Sequence, residues 1–181
     1  MTRSDHRQKR PVSELQIPDT EFIVCDLETT GLSPERNRIT EVALRRVVNG
    51  EIVGRYESLV NPHQFISHEI ERLTGISNRM VYTAPGLGDV LEEVLEFLGD
   101  GVFVAHNARF DRSFIDASLE RCGLPPIEHP TLCTARLARR LMPKGKKSGL
   151  GTLAARMGIR ISNRHRAGGD AEATAKVLIK F

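Results

Sequence analysis

Apolar residues fall into two periods along this chain, and the switches between them mark its elements. Phe22 to Leu27 is a nearly unbroken apolar run of strand length. Ile39 to Val48 and Glu51 to Val60 are two further strand-like segments. The Asn49-Gly50 dipeptide between them accepts positive φ at both turn positions, so the pair reads as an antiparallel hairpin. Ser67 is placed to cap a short helix running to about Leu73, with Gly75 as its stop. Leu87, Val90, Leu91, Val94, Leu95 and Leu98 then repeat at helical spacing, closed by Gly99. Val102 to Ala105 is a short apolar strand, after which Asn107 is the expected cap of a helix from Ala108 to about Arg121, stopped by Gly123. Thr131 to Cys133 reads as another strand and Thr134 to Met142 as a helix ended by Pro143. Leu150 to Met157 and Gly169 to Phe181 read as helices.

Together these elements give an α/β domain over residues 20–181: a mixed five-stranded sheet, an antiparallel meander plus parallel strands, with helices on both faces. The last helix has no stop signal, which leads us to expect truncation within it and a fused module beyond Phe181. Residues 1–19 carry Arg3, Arg7, Lys9 and Arg10 with little periodicity and are expected to be a flexible basic tail or linker.

Composition narrows the picture modestly. A chain of 181 residues with 40% hydrophobic and 27% charged residues can bury one real core. It has no apolar run of the ~20 residues a membrane helix needs. Cys25, Cys122 and Cys133 are odd in number and without metal-site spacing, which excludes a disulfide framework and fits a reducing cytoplasm. Net charge is only +3, but no Asp or Glu occurs between His129 and Gly169. That stretch holds Arg136, Arg139, Arg140, Lys144, Lys146, Lys147, Arg156, Arg160, Arg164 and Arg166, which reads either as the footprint of a polyanionic partner or as a solvated basic face.

The chemistry lies in three short segments. Asp26 and Glu28 are two apart on a strand and therefore share a face. Left unpaired there they would cost several kcal/mol, a cost that a divalent cation removes. A calcium-loop reading of Asp26, Glu28, Thr30 and Gly31 fails, because position 12 is Asn37 and a strand precedes the loop. Asp111 falls in the first turn of the helix after Val102–Ala105, which would bring it to the rim of the same sheet. Asp170 opens the final helix, and His165 precedes it in a loop that Gly168 and Gly169 are expected to make tight. All-oxygen ligation selects Mg²⁺ or Mn²⁺, and two such ions can hold the attacking and leaving oxygens of a phosphodiester displacement. Histidine is the side chain whose unperturbed pKa, ~6.5, lies nearest neutrality, so His165 suits the role of general base for the attacking water.

These segments resemble the three motifs of the DnaQ-like exonucleases, the DEDD family, within the ribonuclease-H-like fold. Asp26 and Glu28 match the first motif, His106-Asn107-Ala108 through Asp111 the second, and His165 with Asp170 the third. Histidine rather than tyrosine in the third resembles the DEDDh branch. The segments also resemble those of the proofreading exonuclease domain of the bacterial DNA polymerase III epsilon subunit and its relatives. Leu73 to Ser77 and the Leu150 to Ile159 segment also resemble the family, while Ser67 stands where relatives often have proline.

The resemblance implies a 3′→5′ exonuclease that releases nucleoside 5′-monophosphates from single-stranded DNA or a primer 3′ end. Two cations, Mg²⁺ or Mn²⁺, would be held by Asp26, Glu28 and Asp170 and by Asp26 with Asp111. His165 would be the base. Thr29, Thr30 and Gly31 would hold the terminal nucleotide through their backbone, Leu32 would wedge against its base, and His106, Asn107 and Phe110 would line the pocket. Proofreading beside a polymerase subunit follows from the same likeness. An exoribonuclease or short-oligonucleotide degrader on this scaffold is the alternative enzyme, with RNA as substrate. A non-catalytic nucleic-acid or polymerase-binding module is the alternative from another class.

Overall fold

The β-branched runs assemble into a single five-stranded sheet in the computed structural model, which describes residue 17, residues 20–143 and residues 148–181. The expected tail and the lysines at 144, 146 and 147 therefore lie outside the described residues, Ile17 apart. The strands are β1 (Phe22–Thr29), β2 (Ile39–Val48), β3 (Glu51–Leu59), β4 (Val102–Ala105) and β5 (Thr131–Cys133), in the order β3-β2-β1-β4-β5. β1, β2 and β3 pair antiparallel, whereas β4 and β5 join parallel to β1 and to each other. Asn49 and Gly50 turn the β2–β3 hairpin with φ of 51° and 77°, the conformation that the dipeptide was expected to supply.

Strand alternation assigns the two faces of β1. Ile23, Cys25 and Leu27 pack with Val90, Leu91, Val94 and Leu98 of α3 (Leu87–Leu98) and with Phe114, Ile115 and Leu119 of α4 (Arg109–Arg121). Val24 faces the other way, with Val47, Val102 and Val104, under Ala175 and Leu178 of α7 (Ala167–Lys180). Asp26 and Glu28 continue the Val24 face, so the helix that covers them is α7. α5 (Thr134–Leu141) and α6 (Leu150–Arg156) buttress α7 through Ala138, Leu153, Ala154, Ala173 and Val177.

Small side chains let α7 come close. Ala167 and Ala171 pack directly on Ala43 of β2, and Ala43 stands opposite Asp26 in the register. Between β3 and α3 lie α1 (His68–Thr74) and α2 (Asn78–Tyr82), the latter absent from the sequence reading because five residues carry too little periodicity. Ser67 caps α1 by accepting from the Ile70 N–H, and Gly75 closes it at φ 72°. No helix among the described residues is long and apolar enough to cross a membrane.

Two local expectations need correction. Asn107 does not cap α4: it adopts φ 69°, Ala108 occupies the cap position, and no side chain bonds the helix start. Asn107 instead turns the chain out of β4 in the left-handed conformation that asparagine tolerates. Gly168 and Gly169 do not form the His165 loop either; both lie inside the first turn of α7. The tight turn is made by Asn163 and His165, at φ 51° and 61°.

Candidate active site

β1 extends past β4, whose pairing with it stops at Val24↔Val104. Its last residues therefore stand at an open sheet edge, where α4 and α7 both begin. A register shift between Glu28 and Thr29 lets β1 bend away from β2 at the same point. Asp26, Glu28 and Asp170 each offer a carboxylate oxygen here, and the three oxygens lie within 4.8 Å of one another.

Asp111 enters from the opposite side of β1, on the first turn of α4, and is only 4% exposed. It falls outside the group of three, but close enough to Asp26 for their charges to interact. Hydrogen bonds from its own and the Leu27 backbone steady its carboxyl. Burial nevertheless pushes its pKa up to about 8, helped by the charge of Glu28. Burial, then the charges of Asp170 and Glu41, lift Glu28 to about 7, against a lowering by Arg166. Asp26 is raised too, by burial and then by Asp111, Asp170, Glu28 and Glu41. Burial also raises Asp170, although the His165 N–H donates to its Oδ2 at 3.2 Å. Its Oδ1 is buried with no hydrogen-bond partner.

Four acids all raised by burial, three of them further by neighbouring carboxylates, with an orphaned buried oxygen among them, fit a divalent cation site. All the donors are oxygen, which suits a hard cation.

His165 precedes this cluster on a left-handed residue, a strained backbone often found at functional sites. Smallness rather than flexibility explains the glycines after it. A Cβ on Gly169 would lie 1.8 Å from the Ser162 carbonyl oxygen, and one on Gly168 would lie 2.6 Å from the Glu57 carboxylate. Gly169→Ala must therefore displace the 162–165 turn. Overpacking of this kind costs about 1–3 kcal/mol. We expect a melting temperature several degrees lower and a collapse of nucleotide release, although no functional group is removed. Wild-type values on both measurements would contradict the close packing.

Thr29 and Thr30 are buried at the exit of β1. Thr29 Oγ1 donates to the Gly31 carbonyl at 2.6 Å. Thr30 Oγ1 accepts from the Arg38 N–H at 3.0 Å and donates to Gln64 at 2.5 Å. Leu32, next in this braced turn, is 84% exposed. His106 is half-buried at the end of β4, its Nδ1 3.0 Å from Thr134 Oγ1 and its Nε2 without a partner. Asn107 is exposed beside it, and the Phe110 ring stacks at 4.9 Å on Phe114. Sequence reasoning missed Gln64, Glu41, Arg45 and Arg166. Glu41 stands opposite Glu28 in the β1–β2 register, which the hairpin signal at Asn49-Gly50 does not set.

The family profile described as Exonuclease (RNase_T) matches residues 23–178. The chain belongs to this exonuclease family. The match makes the domain one of the DnaQ-like exonucleases. Among curated proteins it is 42% identical over 168 residues to a PolC-type DNA polymerase III of Staphylococcus aureus, covering 93% of this chain. The match spans 12% of that protein's length. Among solved structures it resembles exonuclease X in complex with 5′ overhanging duplex DNA, at 32% identity and a TM-score of 0.73, covering 88% of this chain and 89% of that one. Exonuclease I of E. coli, solved with a dT13 oligonucleotide, shares the fold at 19% identity and a TM-score of 0.79, covering 89% and 40% of the two chains.

Proposed function

We propose that this exonuclease removes nucleoside 5′-monophosphates one at a time from the 3′ end of single-stranded DNA, using two Mg²⁺ or Mn²⁺ ions. The observation that carries this reading is the convergence of Asp26, Glu28 and Asp170 within 4.8 Å at the open end of β1. Asp26, Glu28 and Asp170 would hold one ion, and Asp26 with Asp111 the other. When bound, the ions supply Lewis-acid stabilisation of charge on the attacking and leaving oxygens.

The remaining work falls to the protein. The Thr29–Gly31 backbone holds the terminal nucleotide, with the two threonine hydroxyls bracing the turn. Leu32, free of packing partners across most of its surface, wedges against the terminal base. His106, Asn107 and Phe110 line the same pocket from the β4 side. His165 takes a proton from the attacking water, and its backbone N–H donates to Asp170, which ties the His165 turn to the cluster. Arg136, Arg139, Arg140, Arg156, Arg160 and Arg164 are all exposed and track the phosphates leading to the site. The likeness to a PolC-type polymerase supports proofreading beside a polymerase module as the setting.

The test is a 5′-labelled DNA strand incubated with Mg²⁺, alongside RNA of equal sequence. We expect a ladder shortened from the 3′ end, faster on DNA and abolished by chelator. Log rate at low substrate should fall with log salt by about 0.7 per phosphate contacted. Faster attack on RNA would move the substrate to the ribonucleotide class. Internal cuts, or activity undiminished by chelator, would overturn the reading.

A further inference from the structure

Glu41 and Glu28 stand opposite each other in the β1–β2 register, so both side chains project from one face. Carboxylates opposed in this way repel. Glu28 remains available to the acidic cluster because Glu41, only 5% exposed, is fully engaged elsewhere. Arg166 Nε lies 3.1 and 3.0 Å from its two oxygens, and Arg166 Nη2 lies 2.5 Å from Oε1. The Ala167 N–H donates to Glu41 Oε2 at 2.8 Å.

That last bond matters because the start of α7 has no side-chain cap of its own, and an orphan N–H there needs an acceptor. β2 supplies a second tether. Buried Arg45 donates to the Gly168 carbonyl and to Glu172, both at 2.9 Å, and pairs with Glu57. The first turn of α7 is thus fastened to β2 from below, while the residue just before Arg166 is left-handed His165.

We infer that the Glu41–Arg166 pair is a positioning device that fixes the His165 imidazole over the acidic cluster. This rests on His165 being the base, as argued above. The fork is the working part: a guanidinium grips both carboxylate oxygens at once, which an ammonium does not. Glu41 is engaged by Arg166 and by the Ala167 N–H, so the pair acts through the backbone it holds.

The test is a double-mutant cycle on the full chain with a single-stranded oligonucleotide, using wild type, Glu41→Gln, Arg166→Lys, His165→Ala and the Glu41→Gln/His165→Ala double variant. Glu41→Gln is expected to lower kcat by about 10–100-fold, as loss of a supporting partner does, with KM little changed. Arg166→Lys keeps the charge, loses the fork and should fall alike, so it serves if Glu41→Gln does not fold. In the His165→Ala background the Glu41 substitution should cost no more than about twofold, since the group it positions is gone. Unchanged kcat in both Glu41→Gln and Arg166→Lys, or a full multiplicative loss in the double variant, would overturn the inference and leave the pair as ordinary scaffolding. Failure of the catalytic reading shows separately, as wild-type kcat in His165→Ala alone, and it takes this inference with it.

Discussion

Asp26→Asn is expected to lower nucleotide release by ~10³-fold or more and, in the same protein, to raise the melting temperature measured in chelator. The two effects share one cause. Asp26 is the carboxylate assigned to both ions, and the charge stabilisation those ions provide is worth several kcal/mol, each ~1.36 kcal/mol being tenfold in rate. Without cations the same carboxylate sits among Asp111, Asp170, Glu28 and Glu41, and its pKa is raised by burial and then by those four charges. Asparagine keeps the shape and removes the repulsion, so the metal-free fold gains. Each kcal/mol gained is about 2–4 °C at this chain length. Stability and activity moving in opposite directions is the signature of a site held in place against its own electrostatics. A variant that stayed active, or that melted earlier in chelator, would remove Asp26 from the centre of the cluster.

The second large effect is on the pH dependence of melting. Glu28 is lifted from 4.5 to about 7 and Asp111 from 3.8 to about 8. Between roughly pH 4 and 8 the folded protein therefore binds more protons than the unfolded chain. Linkage then gives the sign: stability from these groups is complete at low pH and is lost as pH rises through their folded values. In chelator the melting temperature should fall across pH 5 to 8. Millimolar Mg²⁺ or Mn²⁺ should oppose that fall, because the ions bind the deprotonated carboxylates. At a hundred times Kd the linkage is about 2.7 kcal/mol, roughly 5–10 °C for a protein of this length. The gain should be largest near pH 8 and shrink toward pH 5, where the carboxyls are protonated. Identical melting profiles with and without cation would mean that the acids do not act as one binding site.

Much of this arrangement was legible in the residues because it depends on local rules. Period-two spacing puts Asp26 and Glu28 on one face of β1, and Asn49-Gly50 dictates the hairpin that sets β3 beside β2. The mixed sheet and the helices on both faces follow from a strand meander followed by strands that alternate with amphipathic segments. The parts that could not be read depend on contacts far apart in sequence. Gly168 and Gly169 looked like the residues that tighten the His165 loop, yet both lie in α7 and are glycines because Ser162 and Glu57 leave no room for a Cβ. Asn107 looked like a cap but makes the left-handed exit from β4. Glu41 and Arg166 are separated by 125 residues, and no pattern within either segment announces their pairing. The side of the sheet that α7 covers likewise depends on Ala43 meeting Ala167 and Ala171, a fit of small residues that periodicity does not encode.

The whole account turns on two cations sitting among these four carboxylates. Anomalous diffraction from crystals soaked in Mn²⁺ measures that directly. Two peaks ~3.5–4 Å apart are expected, one against Asp26, Glu28 and Asp170 and the other against Asp26 and Asp111. Mn²⁺ bound elsewhere on the surface, with no peak between these side chains, would contradict it.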